Sequence, residues 1–158
     1  MGQEIERKYL ITGEFKSKAI KSLQIKQGYL SSIPERTVRV RIQDNQGFLT
    51  IKGSNKKNSI SRFEWEKEIT KEEANELIQL CEVGIIDKKR YIVPFRDKII
   101  EVDEFYGENE GLILAEIELD DENENIEKPN WLGKEVTDDP RYYNSMLMKN
   151  PYKNWDNK

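Results

Sequence analysis

The chain has 158 residues, 36% of them hydrophobic and 35% charged, with a formal net charge of −4, one cysteine and no histidine. That length suits one domain, residues 1–158, with a real core. The composition excludes a broadly basic nucleic-acid surface, histidine triads and histidine metal sites, an internal disulfide and an apolar membrane span; with no signal-like opening, it points to a cytoplasmic protein without a membrane partner.

Alternation predicts a strand over residues 3–11, with Glu4, Glu6 and Lys8 on one face and Ile5, Tyr9 and Ile11 on the other. A weaker pattern, Phe15, Ala19, Ile20 and Leu23, predicts a helix over 13–23. Strands follow at 24–31, where Tyr29 reads as structural, and at 36–43, where Arg39 and Arg41 oppose Val38, Val40 and Ile42. The turn at 44–47 leads into a strand at 47–53, with Lys52 opposite Leu49 and Ile51. The lysine-rich stretch 53–59 reads as a solvated loop, placed beside Lys52 where it could lie over a cavity mouth.

The strand at 61–69 gathers Arg62, Glu64, Glu66 and Glu68 in front of Phe63, Trp65 and Ile69. Thr70 and Glu73 form a capping-box signature for a helix over 71–82, whose apolar side carries Ala74, Leu77, Ile78 and an inert Cys81. Residues 88–93 present Lys88 or Lys89 together with Arg90, since a one-residue slip exchanges the faces. Strands at 98–105 and 112–119 carry Glu101 with Asp103 and Glu116 with Glu118. After a solvated loop or helix start at 120–125, a helix is expected near 140–149, with Tyr142, Tyr143, Met146 and Leu147 as its apolar side.

Any one of these charged faces reads best as the wet side of a half-buried strand. Together they differ from ordinary wet faces, because arginine, lysine, glutamate and aspartate dominate and the signs sort by strand. An α+β, mainly antiparallel fold that curls these faces inward would be a closed barrel of eight strands with a charged lumen and flanking helices. Its apolar outside would then need cover from the three helices or from a second copy in a homodimer.

The cations Lys8, Arg39, Arg41, Lys52, Lys88 (or Lys89) and Arg90 suit a chain of phosphates. The carboxylates Glu4, Glu6, Asp103, Glu116 and Glu118 are hard oxygen donors suited to Mg2+ or Mn2+. Neither common glycine-rich phosphate loop is present.

The ordered series Glu4-x-Glu6-x-Lys8, Arg39-x-Arg41, Lys52, Lys88-x-Arg90, Asp103 and Glu116-x-Glu118 resembles the CYTH superfamily, the triphosphate tunnel metalloenzymes. The resemblance spans residues 4 to about 119. It implies an eight-stranded tunnel, a divalent metal and a triphosphate substrate. Lys8, Arg39, Arg41, Lys52, Lys88 and Arg90 would bind phosphates, and Glu4, Glu6, Glu116 and Glu118, with Asp103 close by, would bind metal. Glu4, Glu6, Lys8, Glu116 and Glu118 would carry catalysis. Glu64 and Glu66 would hold a second metal or orient the cations, while Glu68, Glu101 and Arg62 share the lumen parity near a rim. The activity it implies first is hydrolysis of inorganic triphosphate to pyrophosphate and phosphate. The alternatives are a nucleoside triphosphatase or adenylyl cyclase of the same fold, a non-catalytic polyphosphate- or nucleotide-binding module, and an ordinary sheet with polar outer faces.

Overall fold

The structure, a computed structural model, describes residues 2–55 and 61–156. Eight antiparallel strands form its wall: β1 (Gly2–Ile11), β2 (Lys21–Ser31), β3 (Arg36–Gln43), β4 (Gln46–Asn55), β5 (Ser61–Ile69), β6 (Ile86–Phe95), β7 (Lys98–Phe105) and β8 (Ile113–Glu118). Their order is β5-β4-β3-β2-β6-β7-β8-β1, and β5 pairs back onto β1, which closes the barrel. A ninth strand, β9 (Leu132–Glu135), lies beside β1. Along one edge β1 therefore changes partner, from β5 at Gly2–Ile5 to β9 at Tyr9 and Ile11. Eight of the strands are those expected from alternation. β9 has four residues, too few to display a period.

Tight loops fix the register. The β3–β4 and β6–β7 hairpins turn through two residues each, and Asp44 (φ 52°) and Arg96 (φ 58°) take the left-handed conformation at the first loop position. That is the geometry whose twist matches paired strands.

The barrel is apolar outside. Tyr9, Val93, Ile100, Val102, Ala115 and Ile117 form a buried outer layer under Phe15 and Trp131. The helix expected over 13–23 is absent; only a 3₁₀ turn forms, at Lys16–Lys18, before β2 begins. Phe15 and Leu23 do not share a helical face. Phe15 packs edge-on against Tyr91, whereas Leu23 sits opposite Arg90 in the sheet.

A second outer patch, Val40 and Ile42, is covered by α1 (Lys71–Ile78), which starts with the expected Thr70–Glu73 capping box. Gly47 permits the close approach, because a Cβ there would stand 2.8 Å from the Ala74 Cβ. Phe63 on β5 stays 45% exposed, so cover is incomplete on that side.

The tail closes one end. The helix expected over 140–149 is broken at Tyr143, which is extended (ψ 134°) between a 3₁₀ turn at Pro140–Tyr142 and α2 (Asn144–Leu147). Tyr142, Leu147, Met148 and Trp155 then pack on Tyr29, Ile86, Phe105 and Leu114. These barrel residues have the parity of the lumen, Ile86 with Lys88, Phe105 with Asp103, and Leu114 with Glu116. The barrel is thus a cup, sealed at one end by an apolar plug. Among the described residues no helix is long and apolar enough to cross a membrane.

Candidate active site

The lumen holds a cavity of about 290 Å³ lined almost wholly by charged and polar side chains. That is near the lower end of the roughly 300–1,000 Å³ typical of small-molecule sites. From β1 come Glu4, Glu6 and Lys8; from β3, Arg39 and Arg41; from β4, Lys52; from β6, Lys88 and Arg90; from β8, Glu116 and Glu118. Glu64, Glu66, Arg62 and Glu101 line it as well. Period-two alternation alone brings them together, since each strand offers every second residue.

Three expectations are sharpened. Lys88 points inward and is 1% exposed, whereas Lys89 lies over the Tyr91 ring. Asp103 does not line the cavity. It sits behind it, 1% exposed, gripped by Arg90 through two bonds of 2.7 and 2.9 Å and by Lys88 at 2.8 Å. Glu68 is exposed and bonded to Gln46. Of the lysine-rich stretch, residues 56–60 lie outside the described residues.

The charges are segregated. Near the mouth, Glu6 and Glu118 are direct cross-strand partners on β1 and β8, and Glu118 has no ion pair among the described residues. Burial together with Glu116 raises the Glu6 carboxyl above its usual range; burial together with Glu4 and Glu6 does the same to Glu118. Lys52 meets Glu4 at 2.7 Å and Glu64 at 3.7 Å.

Lys8 sits between Glu6 and Glu116, 2.8 Å from each. Burial would lower its ammonium, but the two carboxylates outweigh that and raise it. Burial likewise opposes ionisation of Glu116, yet Lys8 and Arg90 hold it well below the ordinary carboxylate range.

The plugged side is cationic. Burial, Arg39 and Arg90 push the Arg41 guanidinium down, although an arginine stays charged in practice. Among the described residues Arg41 has no carboxylate partner; its Nε donates to the neutral Gln27 Oε1 at 2.8 Å. Arg39 donates to Thr50 at 3.2 Å and lies 3.6 Å from Glu66, and its buried Nε has no acceptor among the described residues. Burial is also the largest influence on Lys88, and with Arg90 and Arg41 it brings the ammonium down to about 7 against the pull of Asp103.

This division fits two ligands of opposite sign. Opposed carboxylates on neighbouring strands repel one another, and a hard divalent cation relieves that. Glu4, Glu6 and Glu118 are the donors suited to it. As they stand, no three acidic side chains among the described residues are gathered closely enough to enclose an ion. Glu116 is held by Lys8 and Arg90, and Asp103 by Arg90 and Lys88. The guanidinium donors left over near the plug suit an anion with several oxygens.

Sequence reasoning missed the neutral lining: Thr37, Thr50 and Thr137, and Tyr143, Asn144 and Ser145 from the tail. The threonines share the lumen parity of their strands or follow β9. The tail residues carry no alternation, and only the tertiary fold brings them to the cup.

Comparison with known proteins agrees with this geometry. A profile of the CYTH domain matches residues 2–145. An inorganic triphosphatase of Acetivibrio thermocellus is 50% identical over 156 residues, covering 98% of this chain and 99% of that one. An inorganic triphosphatase of Nitrosomonas europaea is 32% identical over 148 residues, covering 91% and 95%. A crystal structure described as an inorganic triphosphatase superposes with a TM-score of 0.66 at 31% identity, covering 94% of this chain and 95% of the other. A Hippeastrum protein, described both as an adenylyl cyclase and by a dominant triphosphatase activity, shares the fold at 15% identity, with a TM-score of 0.60 and coverage of 75% and 80%.

Proposed function

The chain belongs to the CYTH domain family, and from that premise we propose that it hydrolyses inorganic triphosphate to pyrophosphate and phosphate with Mg2+ or Mn2+. The observation that carries this reading is the segregation of charge inside one closed cavity. Arg39, Arg41 and Lys88 lie toward the plug with few anionic partners, while Glu6 and Glu118 oppose each other near the mouth. The relatives named inorganic triphosphatases support the same choice.

In this reading Arg39, Arg41, Lys52 and Lys88 grip the phosphate chain, with Lys8 and Arg90 held in place by Glu116 and Asp103. Asp103 serves the cations that grip rather than the metal. Glu4, Glu6 and Glu118 are the residues that would hold the ion, and Glu64 and Glu66 orient Lys52 and Arg39. A divalent ion would supply charge neutralisation at the phosphate oxygens and a more acidic water.

The mouth carboxylates orient the attacking water, and the bond between the terminal phosphorus and its bridging oxygen breaks. Fixed guanidinium and ammonium groups meet the charge that develops on the leaving pyrophosphate, and their pre-set positions are what lower the barrier. Among the described residues the cavity lining is almost wholly polar and charged, which suits a bare phosphate chain better than one carrying a nucleobase.

A substrate panel with Mg2+, Mn2+ and Ca2+ tests the proposal. Phosphate release from inorganic triphosphate is expected to be much faster than from ATP or thiamine triphosphate. Parity, or a preference for ATP, overturns the substrate assignment, and cyclic AMP formed from ATP would assign a cyclase instead.

A further inference from the structure

The tail does more than stop the barrel. Tyr143 breaks the helical path, and the next residue, Asn144, turns into the cavity. Its Oδ1 accepts from Lys88 Nζ at 2.9 Å and from Gln27 Nε2 at 3.0 Å. The amide orientation follows from chemistry, because a lysine ammonium can only donate and so requires the oxygen.

Gln27 is fully buried, and with its amide nitrogen committed to Asn144 its own oxygen faces Arg41 Nε at 2.8 Å. One neutral oxygen from the tail therefore orders two cations, Lys88 directly and Arg41 through Gln27. Asp103 is the other anchor of Lys88 and is already shared with Nε and Nη2 of Arg90. Gln27 is the protein acceptor found for Arg41 among the described residues.

The anchor itself is held firmly. Leu147 is fully buried in the plug, the Tyr142 and Trp155 rings meet edge to face at 5.1 Å, and the Arg141 guanidinium lies 4.7 Å from the Trp155 ring.

We infer that Asn144 is a positioning residue for the triphosphate reaction: it sets Lys88 and, through Gln27, Arg41 at the spacing that grips the phosphate chain. The inference rests on the hydrolytic reading above. Substitution by leucine keeps the branched shape in a larger side chain and removes the acceptor. Lys88 then keeps Asp103 alone, Gln27 loses its partner and can turn, and Arg41 loses its fixed acceptor. Substitution by aspartate keeps an acceptor oxygen at the same place.

The test compares wild type, Asn144→Leu, Asn144→Asp and, as a plug-packing control, Leu147→Ala. Steady-state kinetics with inorganic triphosphate and Mg2+ are paired with calorimetric affinity for inorganic triphosphate without metal. Asn144→Leu should lower kcat/KM by roughly 100-fold, the scale of a misplaced catalytic geometry, and weaken metal-free binding. Asn144→Asp should recover part of both, short of wild type because its added charge opposes the phosphate chain. Leu147→Ala should lower the melting temperature more than Asn144→Leu does, yet lose less kcat/KM.

A leucine variant close to wild type in both kcat/KM and metal-free affinity overturns the role of Asn144 while leaving the hydrolase reading intact. A wild-type protein that binds inorganic triphosphate without hydrolysing it overturns the hydrolase reading, and the affinities still judge Asn144. A wild-type protein that neither binds nor hydrolyses it overturns both.

Discussion

The two sides of the cup fail to neutralise themselves in opposite ways. Near the mouth, Glu6 and Glu118 face each other across two strands, and both carboxyls are pushed up by burial and by neighbouring carboxylates. Toward the plug, Arg41 and Lys88 are pushed down by burial and by neighbouring guanidiniums. Between them Lys8, Glu116, Arg90 and Asp103 form a chain of ion pairs that is internally satisfied. A cavity built only for stability would have paired its charges throughout, because an uncompensated buried charge is costly. In the proposed reading, unlike excesses on two sides of one cavity make it receptive to a metal and a polyanion together. Each ligand would neutralise the excess it meets, and the two bound ligands would attract each other.

The largest way to break this comparison is to take the cation away. Exhaustive chelation should lower phosphate release by about a thousandfold or more, since metal stabilisation of the transition state is worth several kcal/mol and each 1.36 kcal/mol or so is tenfold. Binding of inorganic triphosphate to the chelated protein should survive, because the plug-side cations do not depend on the ion. Undiminished turnover after chelation would end the two-ligand reading.

The next effect lies on the cationic side. Arg41→Ala removes a guanidinium that no carboxylate of the described protein neutralises, so its loss should be felt mainly by the substrate. Charge-assisted bonds of this kind contribute about 1.5–3 kcal/mol, so affinity should fall roughly 10- to 100-fold. Calorimetry without metal measures it directly. An unchanged affinity would place the phosphate chain elsewhere.

How much of this was legible in the sequence follows from period. Every strand of the wall, and the inward face of β1, β3, β4, β5, β7 and β8, could be read because two-residue alternation survives in segments of six residues or more. The choice between Lys88 and Lys89 could not, since either parity is compatible with a strand until its partners are known; pairing opposite Asp103 and Phe105 decides it. Asp103 reads as a cavity residue by parity, but the sequence does not reveal that Arg90 and Lys88 take both its oxygens. The pattern at 13–23 imitated a helix because Phe15 anchors the outer layer while Leu23 already belongs to β2. Asn144 was illegible for a different reason. Its neighbours Tyr142 and Leu147 are apolar plug residues, and a polar residue among them gives no sign of reaching into a site built by other strands.

A smaller and opposite effect is expected on the acidic side. Glu118→Gln removes one member of the opposed pair, so the metal concentration needed for half-maximal activity should rise. In the metal-free protein the same change should stabilise the fold by about 0.2–1 kcal/mol, the range for relieving a direct like-charge pair. Its affinity for triphosphate without metal should hold or improve, the reverse of Arg41→Ala. Measuring both variants by denaturation and calorimetry sharpens the contrast, and parallel losses in both would dissolve it.

The last effect is a proton. Lys88 has an ordinary pKa of 10.5 when unfolded and about 7 in the folded protein, where burial outweighs Asp103. Between those values the unfolded chain holds more protons than the native one, so Lys88 makes stability rise with pH across that window. Below about pH 7 both states are charged and its contribution to the slope disappears. Lys88→Met, similar in length and uncharged, should flatten the slope between pH 7 and 9 relative to wild type. Binding has the converse sign. A phosphate chain favours the ammonium, so wild type at pH 8 should take up a fraction of a proton more than Lys88→Met on binding inorganic triphosphate, and at pH 6 the difference should shrink. Calorimetry in two buffers of different ionisation enthalpy measures the uptake. Equal uptake by wild type and Lys88→Met at pH 8 would mean that Asp103 and Asn144 already hold the lysine charged, making the plug side more cationic at rest.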